Sequence, residues 1–129
     1  MSSPHLERWI EFMTDHDPAV LDEQLADDAV FYSPAVFTPQ EGKALTAKYL
    51  NAATELFGDA DFRYVEQWES DRSAILAFQA TVDGVTVDGI DMIHWNDEGK
   101  IASFKVMIRP LKGLQAVIPR MAALLGQAR

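Results

Sequence analysis

One stretch of the chain, Val85–Pro110 (VTVDGIDMIHWNDEGKIASFKVMIRP), sets a single acid among apolar side chains. It reads as two β-strands folded on a turn at Asn96-Asp97-Glu98-Gly99, where Gly99 supplies the positive φ that short hairpin loops need. With Trp95 facing Lys100 across the loop, Asp91 is expected opposite Phe104. Side chains alternate between the faces of a strand. One face therefore collects Val87, Gly89, Asp91, Ile93 and Trp95 with Ala102, Phe104, Val106 and Ile108, and Asp91 is its only carboxyl. A carboxyl among Phe78, Trp95, Phe104 and Val106 loses hydration, and complete burial raises a carboxyl pKa by up to about 3–5 units. Such a group donates a proton or a hydrogen bond near neutral pH. Asp91 is accordingly the candidate catalytic residue, with an orienting role, accepting hydrogen bonds from Trp9 or Ser33, as the structural alternative.

The elements that must position Asp91 follow from caps and periodicity. Ser3-Pro4 opens a helix, Ser as N-cap and Pro in the first turn, with Leu6, Trp9, Ile10 and Met13 as its apolar stripe. Asp17-Pro18 opens a second, short helix with Leu21 and Leu25 inward. Ala29 to Ser33 reads as a strand, Pro34 and Pro39 bracket a loop, and Gly42 leads into a helix carrying Leu45, Tyr49, Ala52, Ala53 and Leu56, stopped by Gly58-Asp59. From Phe62 the texture changes to sheet. Phe62 to Glu69 alternates loosely, Asp71-Arg72 is a turn, Ala74 to Val82 alternates again, and Asp83-Gly84 is a hairpin signal. Pro119 is expected to start or kink the last turns of a helical segment over residues 111–129. Helices followed by a four-strand antiparallel meander predict one α+β domain over residues 1–129, a curved sheet wrapped around helices.

Composition narrows the chemistry. With 129 residues and 48% hydrophobic content the chain can bury a core without staples, and with no cysteine it has neither disulfide nor thiolate chemistry. A formal net charge of -9 disfavours nucleic acid and anionic membranes as partners. The N-terminal residues MSSPHLERW lack the apolar run of a secretion signal, and no segment reaches membrane-spanning length, so a cytoplasmic protein is the default expectation. His5, His16 and His94 have no spacing suited to a metal, and no metal or cofactor is expected. There is no phosphate-binding glycine loop and no Gly-x-Ser-x-Gly elbow.

The pieces ADDAVFYSP (26–34), EGKALTAKYL (41–50) and GIDMIHWNDEGKI (89–101), in this order of elements, resemble the nuclear-transport-factor-2-like superfamily over about residues 4 to 110. That cone-shaped, cystatin-like fold includes ketosteroid isomerases, SnoaL-type polyketide cyclases, limonene-type epoxide hydrolases and many non-catalytic members. The resemblance to ketosteroid isomerases is carried by Ile90-Asp91 ahead of Glu98-Gly99-Lys100, and it implies that Asp91 is the protonated acid of an oxyanion hole. Trp9 then stands where that family has a tyrosine donor, and Ser33, before Pro34, where it has its general base. The resemblance to epoxide hydrolases implies an Asp-Arg-Asp set, for which Asp91 offers one carboxyl while Arg109 falls outward. A SnoaL-type cyclase demands only the Asp.

The expected function is thus a small-molecule pocket protein of SnoaL-like type. It is either an acid/base enzyme without cofactor (isomerase, cyclase or epoxide hydrolase) acting on an apolar substrate, or a non-catalytic ligand-binding or dimeric module. Trp9, Phe31, Ser33, Tyr49, Leu76, Phe78, Trp95, Phe104, Val106 and Ile108 are the expected substrate-binding residues. The outward sheet face, with Ile75, Ile90, Met92, Ile101 and Met107 beside Asp88, Lys105 and Arg109, is too apolar for a solvated surface and is expected to form a homodimer. Leu114, Val117, Ile118, Met121, Leu124 and Leu125 either close the mouth of the cone or strengthen that dimer.

Overall fold

A computed structural model describes residues 3–58 and 60–127. Helix α1 (Pro4–Asp15) begins as its sequence dictates: the Ser3 hydroxyl accepts from the Leu6 amide at 3.2 Å, with Pro4 in the first turn. It buries Leu6, Trp9 and Phe12, while Ile10 and Met13 are half-buried, so the apolar stripe is centred slightly off the expected one. Helix α2 (Pro18–Gln24) is capped by Asp17, which accepts from the Ala19 amide. Leu25 does not belong to α2; it opens strand β1 (Leu25–Tyr32), four residues before the strand was expected. Asp27 and Asp28, poor strand formers, hide this start, and they sit exposed where the pairing register shifts between Leu25 and Val30.

Strand β2 (Gln40–Glu41) and helix α3 (Lys43–Gly58) follow, then β3 (Arg63–Glu69), β4 (Ser73–Val82), β5 (Val85–Trp95), β6 (Ile101–Arg109) and helix α4 (Leu111–Gln127). Gly58 is the last residue of α3, and Asp59, expected to stop the helix with it, lies outside the described residues. The sheet order is β2-β1-β6-β5-β4-β3. The antiparallel meander β3 to β6 is present as the alternation predicts, but β1 joins β6 in parallel, so the sheet is mixed.

Two turns and two irregularities shape the meander. Asp83 and Gly84 both have positive φ, 49° and 79°, the geometry of a two-residue hairpin turn whose twist matches its strands. The β5–β6 turn is organised by Asn96, whose side-chain oxygen accepts from the amides of Glu98 and Lys100. Asp91 lies opposite Val106, not Phe104, through two shifts of one residue each: Trp95 pairs with Ile101 where Lys100 was expected, and Ala102 is the extra residue of a β-bulge between Trp95 and His94. The displacement by two preserves the face, so Asp91 still looks the same way as Phe104, Val106 and Ile108. The bulge also turns Ile101 inward, fully buried, against the expectation that it faced out. On β5, Gly89 lets the Phe78 ring lie against the backbone; a Cβ there would stand 2.5 Å from that ring and 2.6 Å from the Met107 carbonyl oxygen.

The inner face of the sheet packs two apolar clusters. One gathers α1, α2 and the loop end of β5–β6 around Trp9, Phe12, Leu76, Ile93 and Ile101; the other gathers α3, α4 and the far end around Phe57, Phe78, Val87 and Val117. Helix α4 lies across the open end of the cone and presses Val117, Met121 and Leu124 onto the second cluster. It runs through Pro119 unbroken. The bond Pro119 removes is the one to the carbonyl of Gln115, an exposed residue. Among the described residues no helix is long and apolar enough to cross a membrane.

Candidate functional site

Asp91 sits mid-strand on β5 and is 6% exposed. Its Oδ2 accepts a hydrogen bond of 2.7 Å from the hydroxyl of Tyr64 on β3, and that hydroxyl in turn accepts one of 2.9 Å from Trp9 Nε1 on α1. Three elements distant in sequence therefore converge on one carboxyl. Strand β3 carries its own β-bulge, at Val65, directly after Tyr64. Bulges re-aim side chains at such places, and here Tyr64, registered beside Phe78, reaches across β4 to β5.

The proton count in this chain has a chemical consequence. Trp9 N–H only donates, so it occupies a lone pair of the Tyr64 oxygen. When Asp91 is neutral, it and Tyr64 hold two hydroxyl protons, and only one is used between them. The other has no partner within the chain, and the carboxyl that carries it borders the cavity. Burial pushes the Asp91 pKa up from 3.8 to about 7, and the hydrogen bond from Tyr64 works in the opposite direction by favouring the carboxylate. Tyr64 is pushed well above the ordinary phenol value, first by burial and then by the Asp91 charge and hydrogen bond. Near neutrality the pair is a carboxyl poised to give up a proton and a phenol that keeps its own.

The cavity is about 50 Å³. Of the expected binding residues, Trp9, Phe31, Phe78, Phe104, Val106 and Ile108 border it with Asp91, joined by Met13, Pro34, Leu50, Ala53, Phe57, Phe62, Val117 and Met121. Asp91 is the only ionisable side chain in that lining. Tyr49 stacks on Phe31 with ring centroids 5.0 Å apart and, with Ser33, borders a neighbouring cavity beneath α4. The Ser33 hydroxyl accepts from the Ala35 amide, so it caps the turn at Pro34 and does not reach Asp91.

Leu76 and Trp95 do not border the cavity. Leu76 is paired opposite Asp91 but is wholly enclosed in the first cluster, and Trp95 packs against His5 toward the hairpin loop. Alternation fixes which face a residue takes but not how deep in the cone it lies; Trp95 is four residues, roughly 13 Å, along the strand from Asp91. Tyr64 is the functional residue that the sequence reading passes over. Its signal was the Phe62/Tyr64 alternation ahead of the bulge, which puts both rings on the inner face, where Phe62 packs on Phe78 and edge-on to Tyr64. Among the described residues no group of three or more His, Asp or Glu side chains is placed to hold a metal ion.

This architecture is that of a known family. The SnoaL-like domain profile matches residues 6–104, and the chain belongs to that family. A solved structure described as a steroid delta-isomerase of Pseudomonas aeruginosa is 37% identical, with a TM-score of 0.90 over 95% of this chain and 90% of that one. An uncharacterized bacterial protein with a cystatin-like fold, from Silicibacter pomeroyi, is 28% identical, with a TM-score of 0.86 over 93% and 84% of the two chains. An NTF2-like protein of unknown function from Mesorhizobium loti shares the fold at 20% identity, with a TM-score of 0.72 over 82% and 88%. No curated protein matches the chain significantly.

The raised pKa of Asp91 makes a prediction about stability. Between pH 3.8 and about 7 the folded chain keeps a proton that the unfolded chain has released. The group's contribution to stability is thus complete below the unfolded value and is lost as pH rises through the folded one. At about 1.4 kcal/mol per unit the loss is at most about 4 kcal/mol. Urea denaturation from about pH 4 to about pH 8 is expected to show the wild type losing stability that Asp91→Asn does not lose; parallel curves for the two proteins would contradict the assignment.

Proposed function

We propose that this chain is an acid/base catalyst that works without cofactor on an apolar small molecule bearing one oxygen acceptor, with Asp91 as the acid or hydrogen-bond donor. The observation that carries the reading is the Trp9–Tyr64–Asp91 chain, which ends on a carboxyl that borders an otherwise apolar cavity and, when neutral, has a hydroxyl proton not used within the chain. A carbonyl or epoxide oxygen brought against Asp91 receives that proton or shares it while negative charge develops on the oxygen, and a dry setting strengthens the interaction. Isomerisation of an enone, cyclisation and epoxide opening all begin this way. The 37% identity to a protein described as a steroid delta-isomerase supports a reaction of this class.

The lining offers no second carboxylate, and Ser33, engaged with the Ala35 amide, is no base. That observation favours one other reading, a ligand-binding module of the same fold in which Asp91 recognises an oxygen without turning the ligand over. The two readings separate in one experiment. Conversion of a β,γ-unsaturated cyclic ketone to its conjugated isomer, followed by ultraviolet absorbance, is expected to fall at least about 100-fold in Asp91→Asn. Binding that depends on Asp91 with no conversion would identify the module, and indifference of both to Asp91 would remove both readings.

We also propose that the outer sheet face pairs two copies of the chain. Met107 is 47% exposed there, with Ile75, Ile90 and Met92 half-buried around a shallow groove between Asp88 and Arg109, which pair with each other at 3.0 Å. Sedimentation equilibrium at micromolar concentration is expected to give twice the chain mass for the wild type and the single mass for Met107→Glu. A monomeric wild type would refute the pairing.

A further inference from the structure

We infer, resting on that reading of Asp91, that the ligand site has two compartments and that helix α4 makes it selective for a compact carbonyl compound of one ring, excluding fused polycycles. The inner compartment, which holds Asp91, is about 50 Å³. A water molecule needs roughly 10–15 Å³ of such space, whereas benzene occupies an apolar cavity of about 150 Å³. The inner compartment therefore takes a carbonyl group and the atoms next to it, and no complete ring.

A second cavity of about 150 Å³ adjoins it beneath α4, bordered by Tyr49, Ala35, Leu114, Ile118, Ala122 and Leu125. Phe31, Pro34, Val117 and Met121 border both, so the partition between the two is a wall of side chains, half of it from α4. The outer cavity has the volume for one ring. Its polar side chains are Ser33 and Tyr49, and the Tyr49 hydroxyl has no protein hydrogen-bond partner among the described residues. At its rim Val36 is 48% and Ile118 40% exposed, which marks the way in between α4 and the loop after β1.

A ligand that satisfies both compartments puts its oxygen on Asp91, crosses the Val117–Met121 wall and rests its ring under α4. Four fused rings exceed the two compartments together and would require α4, whose Val117 is 3% exposed, to leave the sheet. Val117 and Met121, the half of the wall that α4 supplies, lie beyond residue 104, where the family match ends.

Methyl NMR of the full chain tests this with three probes: 4-phenyl-3-buten-2-one, a monocycle whose carbonyl stands clear of its ring, a two-ring decalenone and a four-ring steroid enone. The monocycle is expected to shift Val106, in the inner compartment, together with Ile118 and Leu125, in the outer one, while the steroid enone gives no saturable shift. Met121→Ala, which opens the wall, is expected to tighten binding of the two-ring enone at least tenfold. A steroid enone that binds the wild type as tightly as the monocycle, or a monocycle that shifts only one of the two sets, would overturn the two-compartment selection. If both sets shift but Asp91→Asn leaves the affinity unchanged, the acid reading of Asp91 falls while the size selection stands.

Discussion

The burial of one carboxyl is the constraint on which the rest of this structure depends. An aspartate removed from water is costly in its charged form, and the chain meets that cost in two ways. Desolvation shifts the titration of Asp91 to about 7, so near neutrality the group is divided between its protonated and charged forms. Tyr64, itself held by Trp9, gives the remaining carboxylate a donor. Neither device alone suffices. Without burial Asp91 is an ordinary carboxylate with no proton to give, and without Tyr64 its charged form has no protein partner among the described residues.

The fold serves that pair through irregularities more than through its regular parts. The β6 bulge at Ala102 brings Val106 opposite Asp91 and turns Ile101 into the core. The β3 bulge at Val65 follows Tyr64, and Gly89 makes room for the Phe78 ring beside the cavity. Helix α1 is held by its Ser3 cap with Trp9 pointed at Tyr64, and α4 seals the mouth with Val117 and Met121. In the SnoaL-like family such a cone is a common frame. What any member does depends on what lines the frame, and here the lining is apolar save for one acid.

Most of the frame was legible in the sequence because its signals are local. Ser3-Pro4 and Asp17-Pro18 are caps, Asp83-Gly84 and the turn ending at Gly99 are hairpins, and the alternation on β4, β5 and β6 identifies an inner face with Asp91 on it. The parts that were not legible are those that depend on pairing between distant segments. The parallel contact of β1 with β6 has no local signature, and the loose alternation of Phe62 to Glu69 is a bulge that periodicity alone cannot separate from a weak strand. Tyr64 was hidden for that reason. Leu76 and Trp95 were placed on the correct face, yet depth within the cone depends on how the helices close over the sheet. The C-terminal segment packs as α4 against the sheet and α3, with Val117, Met121 and Leu124 on the second cluster.

A carboxyl-carbon NMR titration of Asp91, assigned with Asp91→Asn, tests the central claim most directly. A midpoint near 7 is expected, moving higher still in Tyr64→Phe, where the hydrogen bond that favours the carboxylate is gone. A midpoint at or below the ordinary value of 3.8 would mean a solvated or fully paired carboxylate, and would contradict a dry acid at the heart of this cone.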